Sequence, residues 1–293
     1  MLSEDFDCNI GTRQGDQLSP LLFVLYVNEL IQLTQQKNCQ GVYLDEQNPN
    51  VTMLLYADDL VLVGDQIGRV QQLLNNLSEF CHKWGLQVNM SKTKAMVYRN
   101  GGIVKKREVM YYNGVKLENV PYYKYLGIVM STRLSWTPAQ VTLAAQACKA
   151  MALINSVNYK CDFSYKSASD LFDKCVVPII TYGSELWGYD VHKSVERVHY
   201  KFCKTQLGVG SKTANPAVLG ECGRDRIYVI CYVKCIKYWL KIINSPINSL
   251  LRSCYSLLYR QVQLGKTNWA SKVKNILYTY GFGEQWESQE VMD

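Results

Sequence analysis

Residues 51–64, VTMLLYADDLVLVG, set two stretches of aliphatic, β-favouring side chains around a short polar centre. The pattern predicts a hairpin whose tip is Ala57, Asp58 and Asp59. Two adjacent carboxylates beside an apolar strand pair repel each other and resist desolvation. A positive partner relieves both problems, and hard divalent cations prefer carboxylate oxygens together with phosphate and water. In metal-assisted phosphoryl transfer, carboxylates from neighbouring strands hold ions that clamp the attacking and leaving oxygens. A solvated tight turn that happens to carry aspartate is the alternative.

The surrounding sequence frames this hairpin. Ser19 and Pro20 open a helix as cap and first helical residue, and Leu21, Leu22, Leu25, Leu30 and Leu33 carry it to about Gln36. Asp65 is placed to cap a second helix, with an apolar stripe from Ile67 to Trp84 and a stop at Gly85. LQVN and KAMVY then read as short strands joined by a basic turn. Between 109 and 130, tyrosine-rich and β-branched segments with Asn113-Gly114 and Pro121 read as a small sheet or hairpin. Residues 138–157, 167–182, 191–207 and 226–244 read as helices. The chain is therefore expected to be α+β over 1–130 and helical over 131–293, with a boundary near Ser131.

Charge follows the same division. Residues 1–130 carry 12 basic and 13 acidic side chains, whereas 131–293 carry 20 basic and 12 acidic, so the net +7 of the 293-residue chain lies in its rear half. Such a distribution suits a polyanionic partner. Lys193, Arg197, Lys201 and Lys204 share one helical face, either as a phosphate-tracking row or as the wet side of an ordinary helix. The longest apolar run, Leu21 to Val27, is too short to span a bilayer. The eleven cysteines are irregularly spaced with no C-x-x-C pair, which reads as reduced thiols of an intracellular protein, in the cytoplasm or nucleus. Cys222, Cys231 and Cys235 are closest together, but no histidine follows to complete a zinc set.

Four segments in order resemble the reverse transcriptases, and within them the polymerases of non-LTR, LINE-like retrotransposons. They are Gly11-Thr-Arg-Gln-Gly15-Asp-Gln-Leu-Ser-Pro20-Leu-Leu-Phe23, Tyr56-Ala57-Asp58-Asp59, Trp84-Gly-Leu-Gln-Val-Asn89-Met-Ser-Lys92-Thr93-Lys94, and Tyr125-Leu126-Gly127-Ile128. Ile180-Thr-Tyr-Gly-Ser-Glu-Leu-Trp187 and Leu219-Gly-Glu-Cys-Gly223 resemble the family's region beyond the catalytic part, with less specificity.

The resemblance implies a partial polymerase palm, an antiparallel sheet with helices, followed by a basic helical thumb with its extension. It implies that Asp58 and Asp59 are the catalytic metal ligands, for Mg²⁺ or Mn²⁺, with Asp58 the stronger. Arg13, Gln14 and Gly15, together with Tyr56 and Ala57, would meet template and incoming nucleotide, Gly15 permitting close backbone approach. Lys92 would neutralise or protonate the leaving pyrophosphate, in a stretch from 92 to 107 with six basic and no acidic residues. Tyr125, Leu126 and Gly127 would help hold the primer end. The implied partners are an RNA template, a DNA primer and deoxynucleoside triphosphates, with no membrane; the oligomeric state is left open.

The family also supplies a carboxylate from a D-x-x-x-A-F-D-like strand ahead of the Gln14-Gly15 segment. Only ten residues precede Gly11, and Asp5 and Asp7 among them leave no room for the intervening fingers. The chain therefore reads as the C-terminal part of such an open reading frame, expected not to polymerise alone. A maturase-like RNA-binding protein without catalysis and a decayed retroelement relic are the alternatives.

Overall fold

The computed structural model describes residues 17–44, 50–99, 108–161 and 163–289. It is an α+β protein, with its described residues falling into two compact units within Met1–Ala95 plus Ile103–Asn119 and within Met96–Gly102 plus Val120–Asp293.

In the first unit α1 (Ser19–Gln36) packs against α2 (Ile67–Trp84), with β1 (Val42–Tyr43), β2 (Asn50–Val51), β3 (Met53–Tyr56) and β4 (Asp59–Leu62) between them in sequence. β3 and β4 form the expected hairpin, paired Met53 to Leu62 and Leu55 to Leu60. Strand periodicity sends Met53, Leu55 and Leu60 into a core with Val27, Leu30, Phe80 and Cys81, leaving Leu54 and Tyr56 exposed on the other face. A buried leucine such as Leu30 contributes about 2 kcal/mol by leaving water. Tyr26 of α1 donates its hydroxyl to the carbonyl of Trp84, and their rings meet edge to face at 4.9 Å.

Two expected caps are absent. Leu18, not Ser19, occupies the cap of α1 and makes no side-chain bond there; Ser19 is already helical. Gln66 rather than Asp65 caps α2. Asp65 instead accepts from Arg69 at 2.8 and 2.9 Å, one turn on, where a charge pair outcompetes a single amide. Gly85 does close α2 in the left-handed conformation, at φ 65.

LQVN and KAMVY do not form strands. Ala95 alone makes an isolated parallel bridge to Asn119, because the backbone between is spent on a side-chain-stabilised turn described below. β5 (Tyr111–Tyr112) and β6 (Val115–Lys116) pair through Asn113-Gly114, both at positive φ, the geometry of a two-residue type I′ turn. Gln71 of α2 extends this ribbon: its amide donates to the carbonyl of Tyr111 and accepts from its N–H, each at 2.8 Å.

The second unit begins with β7 (Tyr122–Tyr125) and β8 (Ile128–Ser131), which group with the helices after them although the sequence reading put them with the front half. β8 lies on α3 (Thr137–Cys161), whose buried Ala139, Ala144 and Ala147 admit close neighbours. The segment expected as one helix over 167–182 is α4 (Tyr165–Leu171), a π-helical turn (Phe172–Val176) and α5 (Val177–Ile180). α6 (Ser184–Trp187), α7 (Lys193–Gln206), α8 (Asn215–Cys222) and α9 (Ile227–Ile243) follow, then α10 (Leu250–Gln263), α11 (Trp269–Thr279) and α12 (Gly283–Ser288). One core gathers Phe172, Ile180, Trp187, Phe202 and Cys231, and a second gathers Trp239, Tyr255, Val273 and Trp286. α9 contributes to both. Its first turn is capped from outside by the buried carboxylate of Glu196, which accepts from the N–H groups of Ile227 at 3.3 Å and Tyr228 at 2.9 Å.

His199 is buried on α7, stacked on Phe172, with its Nε2 accepting from Arg224 Nε at 2.9 Å. Burial, and then the Arg224 charge, hold its pKa down at about 4. The folded state thus refuses a proton that the unfolded imidazole takes near 6.5. The associated stability is complete above about pH 6.5 and is lost as pH falls toward 4, amounting to about 2 kcal/mol at pH 5. Denaturant unfolding at pH 7 and pH 5 should show this loss, and His199→Gln should reduce it.

Candidate active site

The two faces of the β3–β4 hairpin decide what its tip can do. Because Leu55 and Leu60 are drawn inward, the next cross-strand pair, Tyr56 and Asp59, lies on the outward face. The connection is a two-residue turn, Ala57 and Asp58, so Asp59 begins β4 rather than sitting at the tip. Ala57 has φ 51 while Asp58 does not have positive φ, the pattern of a type II′ rather than a type I′ turn. A non-glycine residue in that region costs on the order of 1 kcal/mol, and such strain gathers where a site fixes its backbone.

Tyr56, Ala57, Asp58 and Asp59 are all exposed, and neither carboxylate is engaged by another side chain among the described residues. The hairpin therefore presents two unspent hard-oxygen donors on a rigid, apolar base. That chemistry fits a divalent ion bound through one or two carboxylates plus phosphate and water. No cluster of three or more potentially ligating side chains exists among the described residues.

Lys92 sits in a different turn of the same unit. Asn89 builds that turn: its Oδ1 accepts from the N–H of Ser91 at 3.1 Å, the hydroxyl of Ser91 at 2.7 Å and the N–H of Lys92 at 3.3 Å. The Asn89 carbonyl accepts from the N–H and hydroxyl of Thr93 at 3.0 and 2.9 Å. The Asn-x-x-Lys-Thr spacing is thus an Asx turn that presents an exposed lysine, with Asn and Thr as its scaffold. Downstream, Lys94 pairs with Glu118 at 2.7 Å.

Tyr125, Leu126 and Gly127 lie in the second unit, at the β7–β8 turn. Leu126 and Gly127 have φ 45 and 84, a type I′ turn with leucine at a strained position. Arg13, Gln14 and Gly15 lie outside the described residues. On α7, Lys193, Arg197 and Lys201 are exposed on the side away from Val198 and Phe202, while Lys204 is half-buried and donates to the carbonyl of Ser211 at 2.7 Å.

Residues 3–130 match the family model described as reverse transcriptase (RNA-dependent DNA polymerase). This part of the chain is similar to the reverse transcriptases. Several relatives it resembles carry names drawn from transposable elements. The chain is 25% identical over 195 residues to a probable RNA-directed DNA polymerase from transposon BS of Drosophila melanogaster, covering 64% of this chain and 21% of that protein. It is 30% identical over 159 residues to a putative uncharacterized transposon-derived protein of Caenorhabditis elegans, covering 50% of this chain and 56% of that one. It is 27% identical over 141 residues to a retrovirus-related Pol polyprotein from the type-1 retrotransposable element R2 of Nasonia vitripennis, covering 45% and 13%. The chain thus spans about a fifth of the first of these relatives and about half of the second. No solved structure matches it.

Cys231 and Cys235 are buried on one face of α9, and burial pushes both thiols up to about 12. The ten cysteines among the described residues are free. Several tyrosines line surface grooves. Tyr189 and Tyr232 are shared by two adjoining grooves of about 270 and 300 Å³, one continuing to Tyr280 and Lys272 and the other to Tyr228 and Arg226. Their spacing over several helices left no periodic signal to find them by.

Replacing Asn89 with alanine removes three acceptor contacts from one turn and should cost about 1 kcal/mol. Amide hydrogen exchange should show the opening concentrated at Ser91 to Thr93.

Proposed function

We propose that the chain supplies the metal-binding part of an RNA-directed DNA polymerase, its first unit acting as a palm and its second as a basic thumb with an extension. The observation that carries this reading is the outward-facing Asp58 and Asp59 on a strained turn, exposed and without a side-chain partner among the described residues, within a segment similar to reverse transcriptases.

In this reading Asp58 and Asp59 hold Mg²⁺ or Mn²⁺ against the triphosphate of an incoming deoxynucleotide. The bound ions would neutralise charge that develops on the phosphoryl oxygens during transfer. Ala57 keeps the two carboxylates at a fixed angle, since its turn has no spare residue to relax. Tyr56, on the same face, borders the space where the nucleotide enters. Lys92 is presented by the Asn89 turn toward the leaving pyrophosphate, where a cation favours departure of the anion. Arg13, Gln14 and Gly15 meet template and nucleotide, and Tyr125, Leu126 and Gly127 hold the primer end. Lys193, Arg197 and Lys201 follow the backbone of the RNA/DNA hybrid without reading its sequence. A complete two-metal site needs a carboxylate beyond these two, brought by another strand of the polymerase. The setting is intracellular, as buried free thiols favour.

Two measurements test the reading. Mn²⁺ should broaden the amide resonances of Tyr56 to Asp59, and Asp58→Asn with Asp59→Asn should abolish the effect. Binding of a labelled RNA/DNA hybrid should weaken about a hundredfold between 50 and 200 mM salt if about four phosphates are engaged, and Lys201→Ala should lower the salt slope by about one. Hybrid binding that ignores both salt and the basic row would sink the thumb assignment. RNA binding with no metal response at the aspartates would instead support a non-catalytic RNA-binding protein.

A further inference from the structure

The Ile180-Thr-Tyr-Gly-Ser-Glu-Leu-Trp187 segment stands out in the sequence, yet the proposed chemistry gives it no task. In the structure it is a short reversal between two fully buried side chains, Ile180 at the end of α5 and Trp187 at the end of α6. Gly183, at φ 66, turns the chain there, and a Cβ on it would fall 2.7 Å from Cδ1 of Ile128 in β8. The backbone of the reversal is tied at nearly every carbonyl. Thr181 accepts from Lys234 Nζ at 2.9 Å, Tyr182 from Trp187 Nε1 at 3.1 Å, Ser184 from Cys235 Sγ at 3.2 Å, and Glu185 from Trp269 Nε1 at 3.0 Å. Side chains of α6, α9 and α11 thus hold four carbonyls within residues 181–185.

From this fixed base one side chain reaches outward. The Tyr182 hydroxyl donates to the carbonyl of Leu126 at 2.9 Å, at the tip of the β7–β8 hairpin. Its ring lies against the other turn residue, since a Cβ on Gly127 would stand 3.0 Å from Tyr182 Cε1. Leu126 is held at φ 45, which a leucine adopts only under constraint. A two-stranded ribbon with an exposed tip has few other means of keeping such a turn.

We propose that Tyr182 is a positioning residue for the primer end: it braces the Leu126-Gly127 turn from the buried Ile180–Trp187 reversal, so that the hairpin tip meets the primer terminus at one fixed height. This rests on the reading of Tyr125, Leu126 and Gly127 as the primer-holding hairpin. The Tyr182→Phe variant keeps the ring against Gly127 and deletes only the hydroxyl, so it preserves the core.

The test uses the full chain and an RNA/DNA hybrid whose DNA primer ends in 2-aminopurine, a base whose fluorescence reports the environment of the 3′ terminus. Wild type should alter that fluorescence on binding. Tyr182→Phe should bind the hybrid with similar affinity yet return the 3′-terminal signal to that of free hybrid, while amide exchange at Tyr125 to Ile128 rises about fivefold, as for one lost hydrogen bond. A wild-type signal that persists unchanged in Tyr182→Phe overturns the brace alone. Wild-type binding with no 3′-terminal change overturns the primer-holding reading and the brace with it.

Discussion

All the sheet structure among the described residues consists of two-stranded ribbons, and such a ribbon cannot bury a face on its own. Three of the four lean on a helix. β3–β4 is held by the core that α1 and α2 share, β5–β6 is joined to α2 partly through the amide of Gln71, and β8 lies on α3. This dependence leaves the turns free to present polar groups. A ribbon pinned by one apolar face has its other face and its tip in water, and the tip is the one place where polar groups are held by a rigid base without being desolvated.

The two hairpin tips solve the same problem with different means. At Ala57 the strain is borne by the shortness of the loop itself, with the Leu55–Leu60 pair directly beneath it. At Leu126 an outside side chain takes part, because the Tyr182 hydroxyl and ring contact both turn residues. The first arrangement keeps the turn's surroundings open for a ligand that bridges both carboxylates. The second trades openness for support.

The hairpin at 51–64 was legible because its side chains have only one consistent two-face arrangement, and the Asn113-Gly114 turn because those residues favour positive φ. α1, α2, α3, α7 and α9 were legible from apolar spacing and from Gly85. Reading failed where a side chain had two uses of similar value. Asp65 could cap a helix or pair with Arg69, and the pair wins; Asn89 could sit in a strand or gather three donors, and the turn wins. The π-helical turn at Phe172–Val176 and the short α6 have no period to detect, since both are set by packing around Ile180 and Trp187. At the site, Asp58, Asp59 and Lys92 were visible as residues, but that Asn89 and Thr93 are scaffolding around Lys92 needed coordinates, as did the link from Tyr182 to Leu126.

α9 belongs to both cores of the second unit, with Cys231 in one and Trp239 in the other, and Trp269 of α11 donates to the carbonyl of Glu185 beside the Tyr182 reversal. The C-terminal helices are consequently not an appendage that can fray independently. Opening them would strip a hydrogen bond from the base of the brace, so the tail and the hairpin turn share one cooperative unit of stability. In inheritance terms, a truncation or frameshift late in the reading frame is felt some hundred and fifty residues earlier, at a turn that the altered codons never touch.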